Sequence, residues 1–150
     1  MKLRPATVAD LHVVLRHRRE MFREMGGDYK EKIDLFENAS EEYFQAALQD
    51  GSYVGLLGEI SGSIVAGGGV VIAPWPGSPL NFSPRRAWIL NIYVEPEYRR
   101  QGLARTMAEA LVGWCKENGF QSVALHASEY GRSLYEKLGF RPTNEMRLKL

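Results

Sequence analysis

The sequence is poor in cysteine, in long apolar runs and in excess charge, and each absence excludes a class of protein. Cys115 is the single cysteine in 150 residues, so an intramolecular disulfide framework and a four-cysteine zinc site are excluded. No apolar run approaches the ~20 residues of a membrane span, and Met1–Pro5 lacks the apolar stretch of a secretory signal. Nineteen Lys+Arg against eighteen Asp+Glu give a net charge of +1, which opposes nucleic-acid binding. We therefore expect a cytoplasmic protein with no metal, no membrane partner and no nucleic-acid partner.

Residues 1–150 are predicted to form one domain, because a chain of this length with 45% hydrophobic residues supports a single sizeable core. Apolar periodicity, caps and glycine stops divide the chain into alternating helices and strands. The predicted elements are a strand at Lys2–Pro5, a helix from the Thr7 cap to Gly26-Gly27, a helix from the Ser40 cap to about Leu48, strands at Tyr53–Ile60, Ser63–Ile72 and Ala87–Val94, a helix at Gly102–Asn118, a strand at Ser122–His126, a helix at Tyr130–Leu138, and one or two strands in Phe140–Leu150.

This order predicts a mixed α/β (α+β) protein whose central sheet carries helices on both faces. The longest irregular stretch lies between Ala73 and Arg86 and contains four prolines. Loops of this length are uncommon unless they are functional or mobile.

The stretch that carries chemistry runs from the strand ending at Val94 through a tight turn into the helix that Gly102 opens. The first turn of a helix has N–H groups without intrahelical partners and a partial positive charge from the helix dipole. Gly102 and Ala104 present almost no side chain, and Arg99 and Arg100 flank the turn. We therefore predict a phosphate-binding site at this helix N-terminus.

Two other phosphate-binding motifs are excluded by their spelling. The chain contains no Gly-x-x-x-x-Gly-Lys-[Ser/Thr], so it is not a P-loop nucleoside triphosphatase. Gly67-Gly68-Gly69 lies in a strand-like run and does not begin Gly-x-Gly-x-x-Gly, so the dinucleotide fingerprint is also missing.

With these residues in place, the sequence resembles the GNAT superfamily of acyl-CoA-dependent N-acetyltransferases. The family's pyrophosphate motif, [Gln/Arg]-x-x-Gly-x-[Gly/Ala], is matched by Arg99, Gly102 and Ala104. About thirty residues later, Leu134–Phe140 spells the family's Leu-Tyr-Glu-Lys-Leu-Gly-Phe signature. The order of elements agrees over the whole chain.

The resemblance implies a GNAT fold with a mostly antiparallel sheet, in which the strand ending at Val94 and the strand Ser122–His126 are parallel but splay apart. It implies that acetyl-CoA binds there as cosubstrate, with its pantetheine arm in the gap and its pyrophosphate at the turn. An oxyanion-stabilising N–H is expected within Ile92–Val94. The residues implied in coenzyme binding are Ile92, Tyr93, Val94, Arg99, Arg100, Gln101, Gly102, Leu103, Ala104, Arg105, Ser128 and Ser133.

The resemblance also assigns Tyr135 as the general acid that protonates the leaving thiolate. The general base stays open, because Trp88–Tyr93, where some relatives carry a carboxylate or a histidine, has neither. The candidates are a water chain and His126, because histidine is the residue type suited to proton relay near neutral pH, and Asn144 and Glu145 are weaker ones. The other two histidines, His12 and His17, are expected on the surface, and Cys115 is expected to be buried.

The implied reaction is transfer of acetyl from acetyl-CoA to a primary amine through a tetrahedral intermediate. We expect a small-molecule acceptor, since no long acidic stretch exists to bind a basic peptide tail. A protein N-terminal or lysine acetyltransferase and a non-catalytic acyl-CoA sensor stay as alternatives, and a homodimer stays open by analogy. The acceptor is expected between the first two helices and the closing strands, near Met21, Phe22, Met25, Asp28, Tyr29, Trp75, Thr143, Asn144 and Glu145.

Overall fold

A five-stranded sheet in the order β1-β2-β3-β4-β5 forms the centre of the computed structural model, which describes residues 1–26, 33–79 and 81–150. The first four strands pair antiparallel and the last two pair parallel. The strands are β1 Lys2–Pro5, β2 Tyr53–Ile60, β3 Ser63–Pro74, β4 Arg85–Val94 and β5 Val123–Leu125.

Four α-helices are described, and helices pack on both faces of the sheet. Their bounds are α1 Leu11–Met25, α2 Ile33–Asp50, α3 Leu103–Glu117 and α4 Glu129–Lys137. The predicted fold class and the predicted order of these elements are therefore confirmed, with most boundaries within two residues.

Each face of the sheet has its own apolar core. On one face, Met107 and Leu111 of α3 are fully buried against Val70 and Ile89 of the sheet. On the other face, Val14 of α1 and Phe44 of α2 pack with Tyr53 of β2. Burial of such side chains stabilises the fold by about 1.5–3 kcal/mol each. Because the two cores are separate, one anchors α3 and the other anchors the α1–α2 pair.

The three successive glycines of β3 are explained by close packing from these two faces. A Cβ atom on Gly67 would lie 2.5 Å from Nδ1 of His17, and one on Gly69 would collide with the ring of Tyr53. A Cβ on Gly68 would face the opposite way and lie 3.1 Å from Leu111. The glycines therefore allow helices to approach both faces of one strand.

His17 corrects the expectation that both N-terminal histidines are on the surface, although His12 is exposed as expected. His17 is 2% exposed, and its Nε2 lies 3.3 Å from the Glu95 carboxylate. Burial, with a smaller contribution from Arg16, lowers the pKa of His17 to about 4. His17 is thus a neutral packing residue at physiological pH. Cys115 is buried as expected, and burial raises the pKa of its thiol to about 11.

Two predicted elements differ in the structure. Ser40 does not cap the second helix, because α2 begins at Ile33 and Ser40 lies buried in its middle. The tail after Phe140 forms none of the predicted strands, and residues 141–150 are all exposed. Pro142 cannot donate a backbone hydrogen bond, and the neighbouring edge strand, β5, is only three residues long, so few ladder bonds are available to the tail.

The chain start is held by a bidentate ion pair between Arg4 and Asp10. Nη2 and Nη1 of Arg4 donate to the two Asp10 oxygens at 2.7 and 2.8 Å, and the Thr7 N–H donates to Oδ2 at 2.9 Å. These bonds, with that to Arg4 the largest cause, hold the pKa of Asp10 well below its usual range. Asp10, only 8% exposed, thereby fixes β1 to the segment that opens α1.

The substitution Asp10→Asn is expected to lower the free energy of unfolding by about 1–3 kcal/mol at pH 7, since it leaves charge-assisted bonds unmade. Because folding depresses this pKa, the wild-type advantage is complete above the unfolded value near pH ~3.9 and declines as pH falls below it. Urea unfolding at pH 7 and pH 3 measures both effects. Glu117→Gln, at an exposed helix end, is the control and should change stability by less than ~0.5 kcal/mol. An equal loss at both pH values would contradict this account.

Candidate functional site

The parallel strands β4 and β5 pair over only three residues and then separate. Their register joins Ala87 to Val123 and Ile89 to Leu125, where β5 ends, whereas β4 continues to Val94. Asn91 marks the separation, because its φ of 59° lies in the left-handed region that a strand residue rarely adopts. The edge of β4 beyond Ile89 is therefore not covered by β5.

Main-chain groups of β4 face this open edge. The Glu95 N–H donates to the Val65 carbonyl of β3 at 2.9 Å, so by the alternation of a strand the N–H of Val94 points away from β3. The Val94 carbonyl accepts from Nε of Arg99 at 2.9 Å, which leaves the N–H as the available group. The predicted segment Ile92–Val94 thus lies along the open edge with main-chain donors to offer.

The turn after β4 ends in an uncovered helix N-terminus. Arg100 and Gly102 have φ of 60° and 81°, and Gly102 is the N-cap of α3. The first intrahelical bond runs from the Thr106 N–H to the Gly102 carbonyl at 3.0 Å, so the preceding N–H groups have no intrahelical partner. A Cβ on Gly102 would meet nothing within 4 Å. These donors and this open space fit a diphosphate, and the residues that form the turn are Arg99, Arg100, Gln101, Gly102, Leu103, Ala104 and Arg105.

Two of the three arginine side chains of the turn are already engaged. Arg99, besides its bond to the Val94 carbonyl, pairs with Glu24 of α1 at 2.6 Å and lies over the Tyr93 ring at 5.4 Å. Arg105 pairs with Glu109 one helical turn later at 2.8 Å. Arg99 therefore ties the turn to β4 and to α1, and the main-chain N–H groups are the donors that the turn offers to an anion.

Tyr135 lies on the partly buried side of α4, in contact with its own helix and with Phe140, three residues beyond the helix end. Its ring lies edge-on to Phe140, with 5.9 Å between centroids, and a Cβ on Gly131 would come within 3.0 Å of Cε2. Burial raises the pKa of Tyr135 above its ordinary value. The phenol is thus a proton donor, not a phenolate, throughout the neutral range.

The two serines predicted near the coenzyme have different surroundings. Ser128 is the N-cap of α4, and its hydroxyl oxygen accepts from the Gly131 N–H at 3.1 Å. Its hydroxyl hydrogen is still a donor. Ser133 is exposed on α4.

His126 directly follows β5 and is brought together with Glu145 of the tail. Its Nε2 lies 3.3 Å from the Glu145 carboxylate and 3.0 Å from the guanidinium of Arg147, and its ring lies 5.1 Å from that of Trp88. The bond to His126 is the main cause that lowers the pKa of Glu145. Two residues that the sequence suggested separately for proton relay therefore form one exposed cluster.

The residues predicted on the acceptor side are only partly brought together. Phe22 packs edge-on against Phe36 of α2, whereas Met25 is 50% exposed. Trp75 lies in the proline-rich loop over the guanidinium of Arg86, at 4.0 Å. Thr143 and Asn144 are exposed in the tail, Met21 is half-buried, and Asp28, Tyr29 and Gly27 lie outside the described residues.

The half-buried Arg18 and the buried Ser40 and Asn91 form a polar group on this side that was not predicted from the sequence. Nη1 of Arg18 donates to Oδ1 of Asn91 at 2.8 Å, and its Nε donates to the Ser40 hydroxyl at 3.3 Å. The sequence signal that could have revealed this group is the asparagine in the otherwise apolar run of β4. In the structure Asn91 is 4% exposed. Its role depends on side chains 73 and 51 positions away in the chain, which periodicity does not connect.

The described segments contain neither a membrane-spanning helix nor a cluster of metal-ligating side chains. None of the helices there is both long and apolar enough to cross a membrane. Across the same segments, no group of three or more His, Cys, Asp or Glu side chains is arranged to hold a metal ion.

Comparison with known proteins identifies the family. The sequence model of the acetyltransferase (GNAT) family matches residues 12–140. A crystal structure of a GCN5-related N-acetyltransferase from Ralstonia eutropha shares 34% identity and covers 99% of this chain and 97% of its own, with a TM-score of 0.93. A predicted acetyltransferase from Clostridium acetobutylicum, solved with acetyl-CoA, shares 28% identity over 99% of this chain and 94% of its own, at a TM-score of 0.89.

A more distant similarity concerns the fold alone. An aminoglycoside 6'-N-acetyltransferase from Acinetobacter haemolyticus is 19% identical and covers 100% of this chain and 97% of its own, with a TM-score of 0.74. No curated protein sequence matches significantly.

The chain belongs to the GNAT acetyltransferase family. It is an acetyl-CoA-dependent N-acetyltransferase, and enzymes of this kind act on amines. The resemblance drawn from Arg99–Ala104 and Leu134–Phe140 is thereby confirmed.

We predict that Gly102→Ala weakens coenzyme A binding at least about tenfold. A non-glycine residue in the left-handed region strains the turn, and its Cβ would occupy the space into which the phosphates are expected to bind. Thermal stabilisation of the protein by added coenzyme A measures this effect.

Gly119→Ala is the matched control for backbone strain. Gly119 ends the same helix with φ of 77°, and a Cβ there also meets nothing within 4 Å. Both variants are expected to lose roughly 1–2 kcal/mol of stability, but only Gly102→Ala should lose the stabilisation by coenzyme A. Equal coenzyme A responses in the two variants would show that the turn is not the diphosphate site.

Proposed function

We propose that this enzyme transfers the acetyl group of acetyl-CoA directly to the primary amine of a small molecule. One observation carries the proposal. Main-chain N–H groups are available along the open edge of β4, at Ile92–Val94, and again at the uncovered N-terminus of α3 that follows it. One extended ligand with a diphosphate at one end and an acyl group at the other matches that arrangement.

The donor side of the reaction is proposed to be handled by main-chain groups. The N–H groups from Arg100 to Arg105 bind the diphosphate, and the open edge of β4 aligns the arm that carries the acetyl group. An N–H within Ile92–Val94 then stabilises the negative charge that develops on the acetyl oxygen in the tetrahedral intermediate. Arg99 fixes the turn relative to the end of β4 through its bond to the Val94 carbonyl, and relative to α1 through its ion pair with Glu24.

The acetyl transfer balances with two proton movements. The amine nitrogen bonds to the acetyl carbon, the carbon–sulfur bond breaks, and the sulfur leaves with the electron pair. We assign the proton that the sulfur takes to the hydroxyl of Tyr135. The attacking nitrogen loses one proton as it becomes an amide, and a proton returned through solvent restores the phenol. Since burial raises the pKa of Tyr135, its acid form persists through neutral and mildly alkaline pH, so this group should not limit the rate there.

The proton released by the amine needs a path to solvent. An alkyl amine with a pKa near ~10.4 is almost fully protonated at pH 7, so the acceptor must lose a proton before attack. No carboxylate or imidazole lies on β4 before Glu95. We propose a water chain that leads to His126, whose neighbours Glu145 and Arg147 keep it at the exposed end of β5.

The size of the acceptor side supports a small substrate. A cavity of about 430 Å³ lies between α1, α2 and the sheet, with Arg18, Tyr43 and Leu90 in its lining. That volume is within the range of small-molecule sites. A protein acetyltransferase and a non-catalytic acyl-CoA sensor are the alternatives. Release of coenzyme A thiol with small amines and with peptides distinguishes them from a small-molecule acetyltransferase.

The substitution Tyr135→Phe is expected to lower kcat by about 10²-fold or more, because the leaving thiolate loses its proton donor. The KM for acetyl-CoA and the thermal stabilisation by coenzyme A should change little. Release of free coenzyme A thiol, measured with a panel of small amines and peptides, gives the rates.

Tyr130→Phe is the control on the same helix, because Tyr130 is 92% exposed, and its activity should equal that of the wild type. An unchanged kcat for Tyr135→Phe would remove the acid role. Turnover of peptides alone would favour the protein acetyltransferase, and no turnover of any amine by the wild type would favour the sensor.

A further inference from the structure

The cavity between α1, α2 and the sheet contains one charged group. Its walls are mostly apolar, with Phe44 of α2 and Leu90 of β4 among them, and its polar groups are the hydroxyls of Ser40 and Tyr43 and the guanidinium of Arg18. Leu90 adjoins Asn91, where β4 separates from β5. The cavity therefore lies next to the part of β4 where the acetyl group is proposed to bind, on the side of the sheet that is assigned to the acceptor.

Arg18 is a half-buried cation that lies close to three aromatic rings. Its guanidinium carbon lies 4.9 Å from the ring centroid of Phe22, 5.1 Å from that of Phe36 and 5.4 Å from that of Phe44. Burial in this group lowers the pKa of Arg18. A charge removed from water in this way costs free energy unless it is paired, so a partner is expected.

Within residues 1–26, 33–79 and 81–150, no carboxylate is recorded in an ion pair with Arg18. Its neighbours on α1 differ: Arg16 pairs with Glu95, and Arg19 and Arg23 pair with Glu20. The hydrogen bonds of Arg18 go to two neutral acceptors, the Asn91 amide oxygen and the Ser40 hydroxyl. The most desolvated arginine of α1 is thus the one with only neutral partners among the described residues.

The two hydrogen bonds also hold the guanidinium in one orientation. A guanidinium has five N–H groups, and Asn91 and Ser40 use two of them, so three have no hydrogen-bond partner among residues 1–26, 33–79 and 81–150. A planar fork of N–H donors matches a carboxylate with two parallel bonds. Asn91 belongs to the strand that is proposed to align the acetyl group, so an anion on Arg18 would be held at a set distance from the reacting carbon.

We infer that the acceptor carries a carboxylate beside its amine, and that Arg18 binds this carboxylate. The inference rests on the proposed function and narrows its substrate class to amino-acid-like compounds. A purely cationic acceptor such as a polyamine is disfavoured, because the cavity would place a second positive charge near a guanidinium that has only neutral partners among the described residues. Arg18 is a specificity residue here and takes no part in proton transfer.

The test compares the twenty standard amino acids with their carboxamides as acceptors, by release of coenzyme A thiol. The wild type is expected to prefer the carboxylate member of an acetylated pair by about 30-fold or more in kcat/KM. Arg18→Gln and Arg18→Lys should reduce this preference, mainly through KM for the acceptor, with Lys keeping part of it. Both variants should retain the thermal stabilisation by coenzyme A, which reports that they are folded.

Arg19→Gln is the matched control, since Arg19 is the next residue of α1 and already pairs with Glu20. It should keep the full preference. Equal use of amino acids and carboxamides by the wild type, or an unchanged preference in Arg18→Gln, would overturn the inference while leaving the acetyltransferase intact.

Binding distinguishes failure of the inference from failure of the proposed function. If no compound in the panel is acetylated, titration of the N-acetyl amino acids into the protein with coenzyme A present is measured by calorimetry. Binding of these carboxylates that Arg18→Gln abolishes would support the anion site without the acetyl transfer. Absence of any such binding would overturn the carboxylate site.

Discussion

The separation of β4 from β5 at Asn91 is the constraint on which the rest of the site depends. A continuous parallel ladder would consume the main-chain groups of Ile92–Val94, and no extended ligand would have access to them. Pairing instead stops at Ile89 and Leu125, and a residue with positive φ redirects β4 immediately afterwards. A buried amide side chain, that of Asn91, bonds to Arg18 and connects this break to the first helix.

The two faces of the sheet support different parts of the proposed site. The α3 face has an apolar core of Met107, Leu111 and Ile89 that fixes the helix whose N-terminus forms the anion site. The α1–α2 face encloses the cavity that contains Arg18. Arg99 links the two, because it holds the Val94 carbonyl on one side and Glu24 of α1 on the other. The proposed donor and acceptor sites are therefore mechanically connected through one side chain at the turn.

Sequence patterns predicted the fold well because most of the information is local. Strand alternation at Tyr53–Ile60 and the glycine at position 102 act over a few residues, and the structure agrees with both. The errors concern long-range effects: Ser40 was assigned as a cap and His17 as a surface residue, but both are buried by partners distant in the chain. The Arg18 cavity was not predicted for the same reason, since its members come from α1, α2 and β4.

The most direct measurement of the central claim is amide hydrogen exchange with and without coenzyme A. We expect the amides of Val94 and of Gly102 to Arg105 to become strongly protected when coenzyme A is added, while those of β1 and β2 change little. Protection confined to other segments, with these amides exchanging as fast as before, would contradict the assignment of the open β4 edge and the α3 N-terminus as the coenzyme site.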